Sequence, residues 1–346
     1  MPNTIKTQLG EFSKEKFNAL LNVRAIALES FRENLKQKGY TEVTTSSLVN
    51  IAGSCENPYA SFKLNYYGRE AHLSQSAQLQ LESLVIRLKR PVFTINNSFR
   101  EESYDDPEVK GRRLSEFTLI EPEIPFIRPV YLYGPTTPED ALDILIHKQT
   151  DIIREVLLKT LPNCEKEIAL LGGDINYLEK VWLFNKITYD KALEILNKNN
   201  YNYKFGDDLG IKEERQILSY FNNVPTFITH YPASIKFFNM KRTLDGERVY
   251  SVDLLLPPLG ETIGGAIREE NGEKIKQQLL ESKIATYIQE RNLDPIQQFS
   301  EYFSLFEQEE PILRGGFGIG FERFIGFLLN SNDILETIAY RSMQPK

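Results

Sequence analysis

The sequence predicts an α+β fold in which an antiparallel sheet is flanked by helices, and three patterns indicate it. Residues 91–100 and 114–124 have the composition of two apolar strands that pair across a polar connection. A long amphipathic helix is predicted near the start, and a glycine-rich strand runs into an apolar helix near the end. No repeat or low-complexity linker divides the chain. We therefore expect one domain over residues 1–346, with a helical insertion at about 130–225.

The individual elements follow from hydrophobic spacing and from helix-terminating residues. Residues 13–38 carry apolar side chains at helical spacing, with Ser13 as the N-cap and Gly39 as the stop. Pro138 fits the first turn of a second long helix, at 139–161. The glycine-rich strand Gly315–Gly320 leads into the helix Phe321–Leu329. The other predicted elements are strands near 41–45, 60–67, 71–74 and 249–256, a helix at 78–88 and a helix after 189.

The composition excludes several classes of protein. The 346 residues are 41% hydrophobic and 26% charged, as in ordinary globular proteins. No stretch approaches the ~18–20 apolar residues of a membrane span, and the first residues lack the apolar core of a secretory signal. Cys55 and Cys164 stand far apart, which argues against a disulfide framework or a zinc ribbon. We expect a cytoplasmic protein without a membrane partner.

The charge balance argues against general nucleic-acid binding as the main role. Acidic residues outnumber basic ones by 48 to 41, giving a net charge of −7, and no long basic run is present. The densest basic clusters are the short ones at 87–90 and 110–113. A nucleic acid could still be bound locally.

A first group of chemically active residues flanks the polar connection between the two central strands. Arg100 and Glu102 follow the first strand, and Arg113 and Phe117 precede or begin the second. A strand–loop–strand hairpin would bring these four side chains to one open surface. The planar guanidinium suits phosphate, and a phenylalanine face suits a purine ring. The alternative is a surface hairpin with solvated charges.

A second group lies between residues 253 and 268. Asp253 stands in a buried strand, and Glu261 begins another strand just before Gly264 and Gly265. Two converging carboxylates suit Mg²⁺, which takes one or two carboxylates together with substrate phosphates. The paired glycines would allow a ligand close to the backbone. The alternative is a tight turn with two ordinary surface acids.

The third group is the alternating glycine strand at 315–320, which ends one turn before Arg323. Glycines on alternate positions leave one face of a strand clear for a flat ligand. The pattern differs from a dinucleotide-binding fingerprint, because no early βαβ unit surrounds it.

In this order the three groups resemble the three motifs of class II aminoacyl-tRNA synthetases, nearest to the catalytic core of asparaginyl-tRNA synthetases. The resemblance covers roughly residues 15–345. It implies the fold of that class, a homodimer formed through the first helix, and an ATP-dependent, Mg²⁺-requiring ligase. The matching segments are Phe62–Leu64, Gln75–Glu82, Ser98–Arg100, Leu114–Phe117, Ile120–Glu123, Phe205–Leu209, Tyr231-Pro232, Ile235-Lys236, Asp253–Glu270 and Gly316–Arg323.

The resemblance also implies roles for the residues that match the nucleotide site. Arg100 would hold the α-phosphate and the carboxylate being activated. Glu102 would accept a hydrogen bond from the adenine amino group. Phe117 and Arg323 would sandwich the adenine, with Arg323 and Arg113 near the outer phosphates. Arg100 and Arg323 are the two residues expected to matter most for catalysis.

The same resemblance implies the metal ligands and the amino-acid pocket. Asp253 and Glu261 would hold Mg²⁺. The substrate α-amino group and side chain would be bound by two pairs of residues, Glu56 with Gln78 and Glu82 with Arg268.

Several departures from the family bear on the substrate and the acceptor. We expect no anticodon-binding domain, since only about a dozen residues precede the first helix. The connection after Glu102 carries Asp105, Asp106 and Glu108, which would repel tRNA phosphates. The remaining departures are Ser46 for a motif 1 proline, Asn57-Pro58-Tyr59 after Glu56, Ala266 for a serine and Arg314 for a histidine.

The pocket residues leave two substrates open. Leu81 replaces a lysine that in aspartyl relatives pairs with the substrate carboxylate, and Glu82 suits an amide, so an asparagine-like substrate is favoured in the usual orientation. Aspartate could bind reversed, with its α-carboxylate on Arg268. Arg314 either adds a positive charge for such a carboxylate or pairs with a nearby acid.

The expected reaction is formation of an aspartyl- or asparaginyl-adenylate and its transfer to a small amine, with ammonia preferred, as in stand-alone asparagine synthetase-like relatives. The alternatives are an amide ligase for another amine in a biosynthetic pathway, an asparagine–tRNA ligase, and a non-catalytic regulator that keeps the fold.

Overall fold

The computed structural model describes residues 13–51, 57–102, 111, 113–127, 137–199 and 201–339. In chain order the strands are β1 (Thr41–Glu42), β2 (Leu48–Val49), β3 (Lys63–Tyr66), β4 (Arg69–Leu73), β5 (Val92–Phe99), β6 (Glu116–Pro125), β7 (Asn185–Thr188), β8 (Thr226–Thr229), β9 (Ser251–Leu256), β10 (Gly260–Arg268) and β11 (Arg314–Gly320). The helices are α1 (Lys14–Gln37), α2 (Gln78–Leu88), α3 (Pro138–Leu171), α4 (Ile175–Leu178), α5 (Tyr189–Lys198), α6 (Ile211–Tyr220), α7 (Gly272–Leu280), α8 (Lys283–Gln289), α9 (Pro295–Gln298), α10 (Ser300–Gln308) and α11 (Phe321–Leu329), with 3₁₀ turns at Pro58–Ala60, Ala233–Ile235 and Ile334–Thr337.

The main sheet has eight strands in the order β1-β5-β6-β11-β10-β9-β8-β7. The six strands from β5 to β8 in this order pair antiparallel, which confirms the predicted α+β architecture. The two edge strands, β1 and β7, pair in parallel with their neighbours. The antiparallel prediction was wrong at these edges, because strands of two and four residues are too short to show a hydrophobic period. A second sheet of β2, β4 and β3 lies beside it.

The two longest helices pack together against one face of the sheet. Helix α1 begins after Ser13, whose side chain accepts from the Lys16 amide at 3.2 Å, and it ends before Gly39, which has φ +85°. Helix α3 ends ten residues later than predicted, because the chain continues past Pro162 with a kink at Cys164. Both helices contribute to one hydrophobic core with the central strands.

The segment at 130–225, expected to be a helical insertion, is built into this core. Among its described residues, α3 packs in the main core and β7 forms the last strand of the sheet. Helices α5 and α6 form a smaller core with β8 and β9. None of the helices in the described parts of the chain is long and apolar enough to traverse a membrane.

Strand β10 shows how the sheet separates core from cleft. A methyl group on Gly265 would lie 3.1 Å from the Gln149 side chain of α3, on the helix-covered face. A methyl group on Gly264 would instead lie 2.9 Å from Glu261 Oε1 and 3.5 Å from Asp253 Oδ1. Since successive residues of a strand point to opposite faces, the second face presents the predicted carboxylates.

Candidate active site

The face of the sheet opposite α3 is the floor of a cleft of about 1040 Å³. Strands β6, β9, β10 and β11 contribute to its lining, together with the segment 231–238 and the 3₁₀ turn Pro58–Ala60. Nine of the predicted site residues line it: Gln78, Arg100, Glu102, Arg113, Phe117, Asp253, Glu261, Arg268 and Arg323. Glu82 lies behind this lining, and Glu56 lies outside the described residues.

The β5–β6 hairpin brings its four predicted side chains together. Ser98 pairs with Phe117 in the ladder, and the Arg100 amide donates to the Ser115 carbonyl at 2.9 Å. The Glu102 carboxylate is 8% exposed and lies 3.1 Å from Arg113 Nη1 and 3.9 Å from Arg100 Nε. This confirms that the hairpin forms one surface. The acidic residues of the connection, at 105, 106 and 108, lie outside the described residues.

Asp253 and Glu261 converge on the bare backbone of Gly264. Their oxygens Oδ1 and Oε1 both approach the position that a side chain at 264 would fill. Among the described residues no group of three or more His, Cys, Asp or Glu side chains could enclose a metal ion. A pair of carboxylates in an open cleft fits Mg²⁺, which takes its other ligands from water and phosphate.

A lysine that the sequence analysis gave no role stands beside this pair. Lys236 Nζ lies 2.6 Å from Asp253 Oδ2 and 4.0 Å above the ring of Tyr231. Burial and the nearby Glu261 raise the pKa of Asp253 to about 7, although Lys236 opposes the rise. Burial lowers the pKa of Lys236, but the neighbouring carboxylates, Asp253 foremost, together raise it by more. The net effect is a raised pKa, which keeps the lysine charged.

Arg323 neutralises the second carboxylate. Its Nη1 donates to the Glu261 carbonyl and lies 3.7 Å from Glu261 Oε2. Burial opposes ionisation of Glu261, but Arg323, Lys236 and Arg100 outweigh it and hold the pKa of that carboxyl below its usual value. Glu261 is therefore ionised at neutral pH and available to a cation.

The face that the alternating glycines were predicted to clear is open at Gly318 and Gly320, whereas a methyl group on Gly316 would overlap the Glu123 carboxylate. Gly318 and Gly320 both line the cleft, and a methyl group on either would meet neighbours no closer than 3.5 Å. Phe117 and Arg323 line the same cleft, on β6 and on the first turn of α11. The cleft lining therefore includes an aromatic side chain, a guanidinium and strand positions without side chains, which are groups that a flat ring can contact.

The predicted amino-acid pocket has two arginines and two glutamates. Arg268 Nε and Nη2 donate to the two oxygens of Glu123 at 3.2 and 3.1 Å. Arg314, predicted either to serve a substrate carboxylate or to pair with an acid, is fully buried and lies 2.7 Å from Glu82 Oε2. Gln78 Nε2 donates to Glu82 Oε1 at 3.3 Å. The ion-paired alternative for Arg314 is the one that the structure has.

Sequence reasoning missed Lys236, Glu123 and Tyr302, which hold predicted residues in place. Glu123 is buried and forms the bidentate pair with Arg268. A signal was present for Glu123, because it is one of two glutamates, with Glu121, that stand among apolar residues in the buried half of β6. Lys236 and Tyr302 carry no comparable local signal.

Comparisons with known proteins agree with this geometry. The family of class II tRNA synthetases (D, K and N) matches residues 3–344. The chain is 32% identical to a probable cytoplasmic asparagine–tRNA ligase of Schizosaccharomyces pombe, over 93% of this chain and 52% of that protein. It is also 32% identical to an asparagine–tRNA ligase of Pyrococcus furiosus, over 96% of this chain and 69% of that protein. The chain thus spans about half to two thirds of the length of these relatives.

A solved structure resembles the fold as well. The asparaginyl-tRNA synthetase of Pyrococcus horikoshii complexed with asparaginyl-adenylate superimposes with a TM-score of 0.79 at 30% sequence identity. The match covers 94% of this chain and 68% of that one.

Proposed function

The chain belongs to the class II tRNA synthetases of the D, K and N group, and from this premise we propose that it is an ATP-dependent ligase that activates an amino acid as an aminoacyl-adenylate. The observation that carries the proposal is the convergence of Asp253 and Glu261 on Gly264 in a cleft that also holds Arg100, Arg113 and Arg323. Three permanent cations and a carboxylate pair are what a nucleoside triphosphate with a divalent cation requires.

The proposed reaction is an in-line displacement at phosphorus. A carboxylate oxygen of the amino acid attacks the α-phosphorus of ATP, a P–O bond forms, and the bond to pyrophosphate breaks. Arg100 binds the α-phosphate and the attacking carboxylate, while Glu102, Phe117 and Arg323 bind the adenine. No side chain acts as a nucleophile, since the reaction needs positioning and charge neutralisation. Asp253 and Glu261 would hold Mg²⁺, which neutralises phosphate charge when bound.

The substrate proposed for this pocket is aspartate or asparagine. Gln78 lines the cleft and is proposed to bind the substrate α-amino group together with Glu56. Arg268 lines the cleft at the end where the carboxylate or amide of the substrate that is not activated would lie, with Glu82 3.8 Å from its Nε. The solved relative carries asparaginyl-adenylate.

For the acceptor we propose a small amine, with ammonia preferred. Aspartate, bound reversed with its α-carboxylate on Arg268, would be activated at its β-carboxylate. Ammonia would then attack that carbonyl carbon, form the C–N bond of asparagine and displace AMP. The acidic balance of the chain and the three carboxylates at 105, 106 and 108 support it, because tight tRNA binding needs several phosphate contacts from Lys or Arg. The names of the relatives favour the alternative, an asparagine–tRNA ligase. Another amine from a biosynthetic pathway is the remaining catalytic alternative, and a non-catalytic regulator is disfavoured because the motif residues are present.

One experiment separates the acceptors. The protein is incubated with ATP, Mg²⁺ and aspartate or asparagine, and ammonia, hydroxylamine or total tRNA is then added. Asparagine formed from labelled aspartate only when ammonia is present supports the proposal. Charged tRNA without an ammonia-dependent product would establish the tRNA ligase instead. Adenylate that reacts with none of these acceptors would indicate a different amine.

Assembly and location are proposed on the sequence alone. We propose a homodimer through α1 and a cytoplasmic location, on the resemblance and on the composition; a solution mass of two chains would support the homodimer.

A further inference from the structure

The carboxylate of Glu82 is already surrounded by hydrogen-bond donors of the protein. Its Oε2 accepts from Arg314 Nη2 at 2.7 Å and Nε at 3.1 Å, and from the Tyr302 hydroxyl at 3.0 Å. Its Oε1 accepts from the Asn239 amide and from Gln78 Nε2 at 3.3 Å. A carboxylate offers about four acceptor positions, so Glu82 has none left for a substrate amide.

Arg268 is the group that faces the substrate at this end of the cleft. It lines the cleft, whereas Glu82 and Arg314 do not. Two of its nitrogens donate to Glu123, and within the part of the chain that the structure describes its Nη1 makes no hydrogen bond. The pocket therefore offers the substrate a guanidinium donor from Arg268. The two carboxylates of the pocket, Glu82 and Glu123, already accept hydrogen bonds from protein side chains.

We propose that Arg314, by holding Glu82 away from the substrate, makes the pocket select an amino acid with a second carboxylate, aspartate, over the corresponding amide. This inference rests on the proposed adenylation. It holds for either orientation of aspartate, because the carboxylate that is not activated lies on Arg268 in both. Arg314 acts here as a positioning residue, since it acts on the substrate through Glu82.

The charges of the pocket agree with this selection. The pocket holds two arginines and two glutamates, so their charges balance. The extra carboxylate of a bound aspartate upsets this balance unless one of the glutamates is protonated. Burial raises the pKa of Glu123 to about 7, with Arg268 opposing the rise and Glu82 adding to it. Glu123 can thus take up a proton near neutral pH when aspartate binds, which leaves Arg268 as the cation for the carboxylate.

The test measures ATP–pyrophosphate exchange with aspartate and with asparagine for the full chain and two variants. The wild type should show a kcat/KM for aspartate at least about tenfold above that for asparagine, because an amide would leave its N–H donors unpaired. Arg314→Met removes the strongest partners of Glu82, frees that carboxylate to accept from an amide, and should shift the ratio toward asparagine by about tenfold or more. Tyr302→Phe removes one donor and should shift the ratio in the same direction by less.

The matched control replaces both members of the buried pair, Glu82→Met with Arg314→Met, because apolar residues often replace such a pair without loss of stability. No carboxylate is then available at position 82, so this variant should keep the preference for aspartate. Thermal unfolding of each variant checks the fold, and Tyr302→Phe carries the test if Arg314→Met does not fold.

The outcomes separate the two proposals. A wild type that uses asparagine as well as aspartate overturns the selection and leaves the adenylation intact. Arg314→Met that folds but leaves the ratio unchanged also overturns the role of Arg314, as does an unchanged ratio in Tyr302→Phe where Arg314→Met does not fold. Absence of exchange with either amino acid would overturn the adenylation and this inference with it.

Discussion

Replacing Lys236 by methionine is expected to destabilise the fold in a pH-dependent way. The ammonium lies 2.6 Å from Asp253 Oδ2, and the two side chains are 18% and 7% exposed. Methionine keeps most of the apolar length of lysine but has no charge. Without the cation, a buried Asp253 carboxylate beside Glu261 is stable chiefly in its protonated form.

The size and sign of the effect follow from the pKa of Asp253. In the wild type, burial raises this pKa to about 7 with Lys236 opposing, and removing Lys236 raises it further. Below pH 7 Asp253 is protonated in the folded wild type as well as in the folded variant, so its ionisation makes no difference to their relative stability. Above pH 7 the folded wild type has lost this proton. The folded variant still holds it and releases it only on unfolding. The loss in unfolding free energy should therefore grow by ~1.4 kcal/mol per pH unit and reach ~2 kcal/mol near pH 8.5.

Urea unfolding at pH 6.5, 7.5 and 8.5 without Mg²⁺ measures this difference. Lys186→Met is the matched control, because Lys186 Nζ lies 2.5 Å from Asp143 but both side chains are about half exposed, so its loss should be small and independent of pH. An equal loss at all three pH values, or no loss at pH 8.5, would show that Lys236 does not control the ionisation of Asp253.

Four further predictions concern the site and the assembly. Arg100→Gln and Arg323→Gln should each lower the exchange rate on the order of 10²–10³-fold; a change below threefold in exchange assays would contradict their roles. Gly264→Ala places a methyl group 2.9 Å from Glu261 Oε1 and should lower exchange about 10²-fold while thermal unfolding changes little; full activity would exclude the carboxylate site. The Mg²⁺ concentration for half-maximal exchange should fall as the pH rises through about 7, because Asp253 must ionise; a constant value between pH 6 and 8 would contradict this. Light scattering at micromolar concentration should give twice 40.0 kDa, and a monomeric mass would exclude the homodimer.

The sequence predicted the parts of the site that local patterns encode. The β5–β6 hairpin has two apolar strands joined by a polar connection, and antiparallel pairing of these strands is enough to bring Arg100, Glu102, Arg113 and Phe117 to the same end of the sheet. The carboxylates at 253 and 261 were predictable for the same reason, since both lie on neighbouring antiparallel strands next to paired glycines.

The remaining features depend on contacts that no local pattern encodes. Lys236 reaches Asp253 from a segment outside the strands, and Glu82 meets Arg314 across 232 positions of the chain. No periodicity or motif spacing in the sequence predicts either contact. The end of α3 was misplaced because proline usually ends a helix, whereas here the helix continues through a kink at Cys164.

Mg²⁺-dependent ATP–pyrophosphate exchange with the full chain and either aspartate or asparagine is the most direct measurement of the proposed adenylation. Labelled pyrophosphate should enter ATP only when one of these amino acids is present, and Asp253→Asn combined with Glu261→Gln should abolish the exchange. Absence of exchange with both amino acids, or exchange that persists in the double variant, would contradict the proposed adenylation at this carboxylate pair.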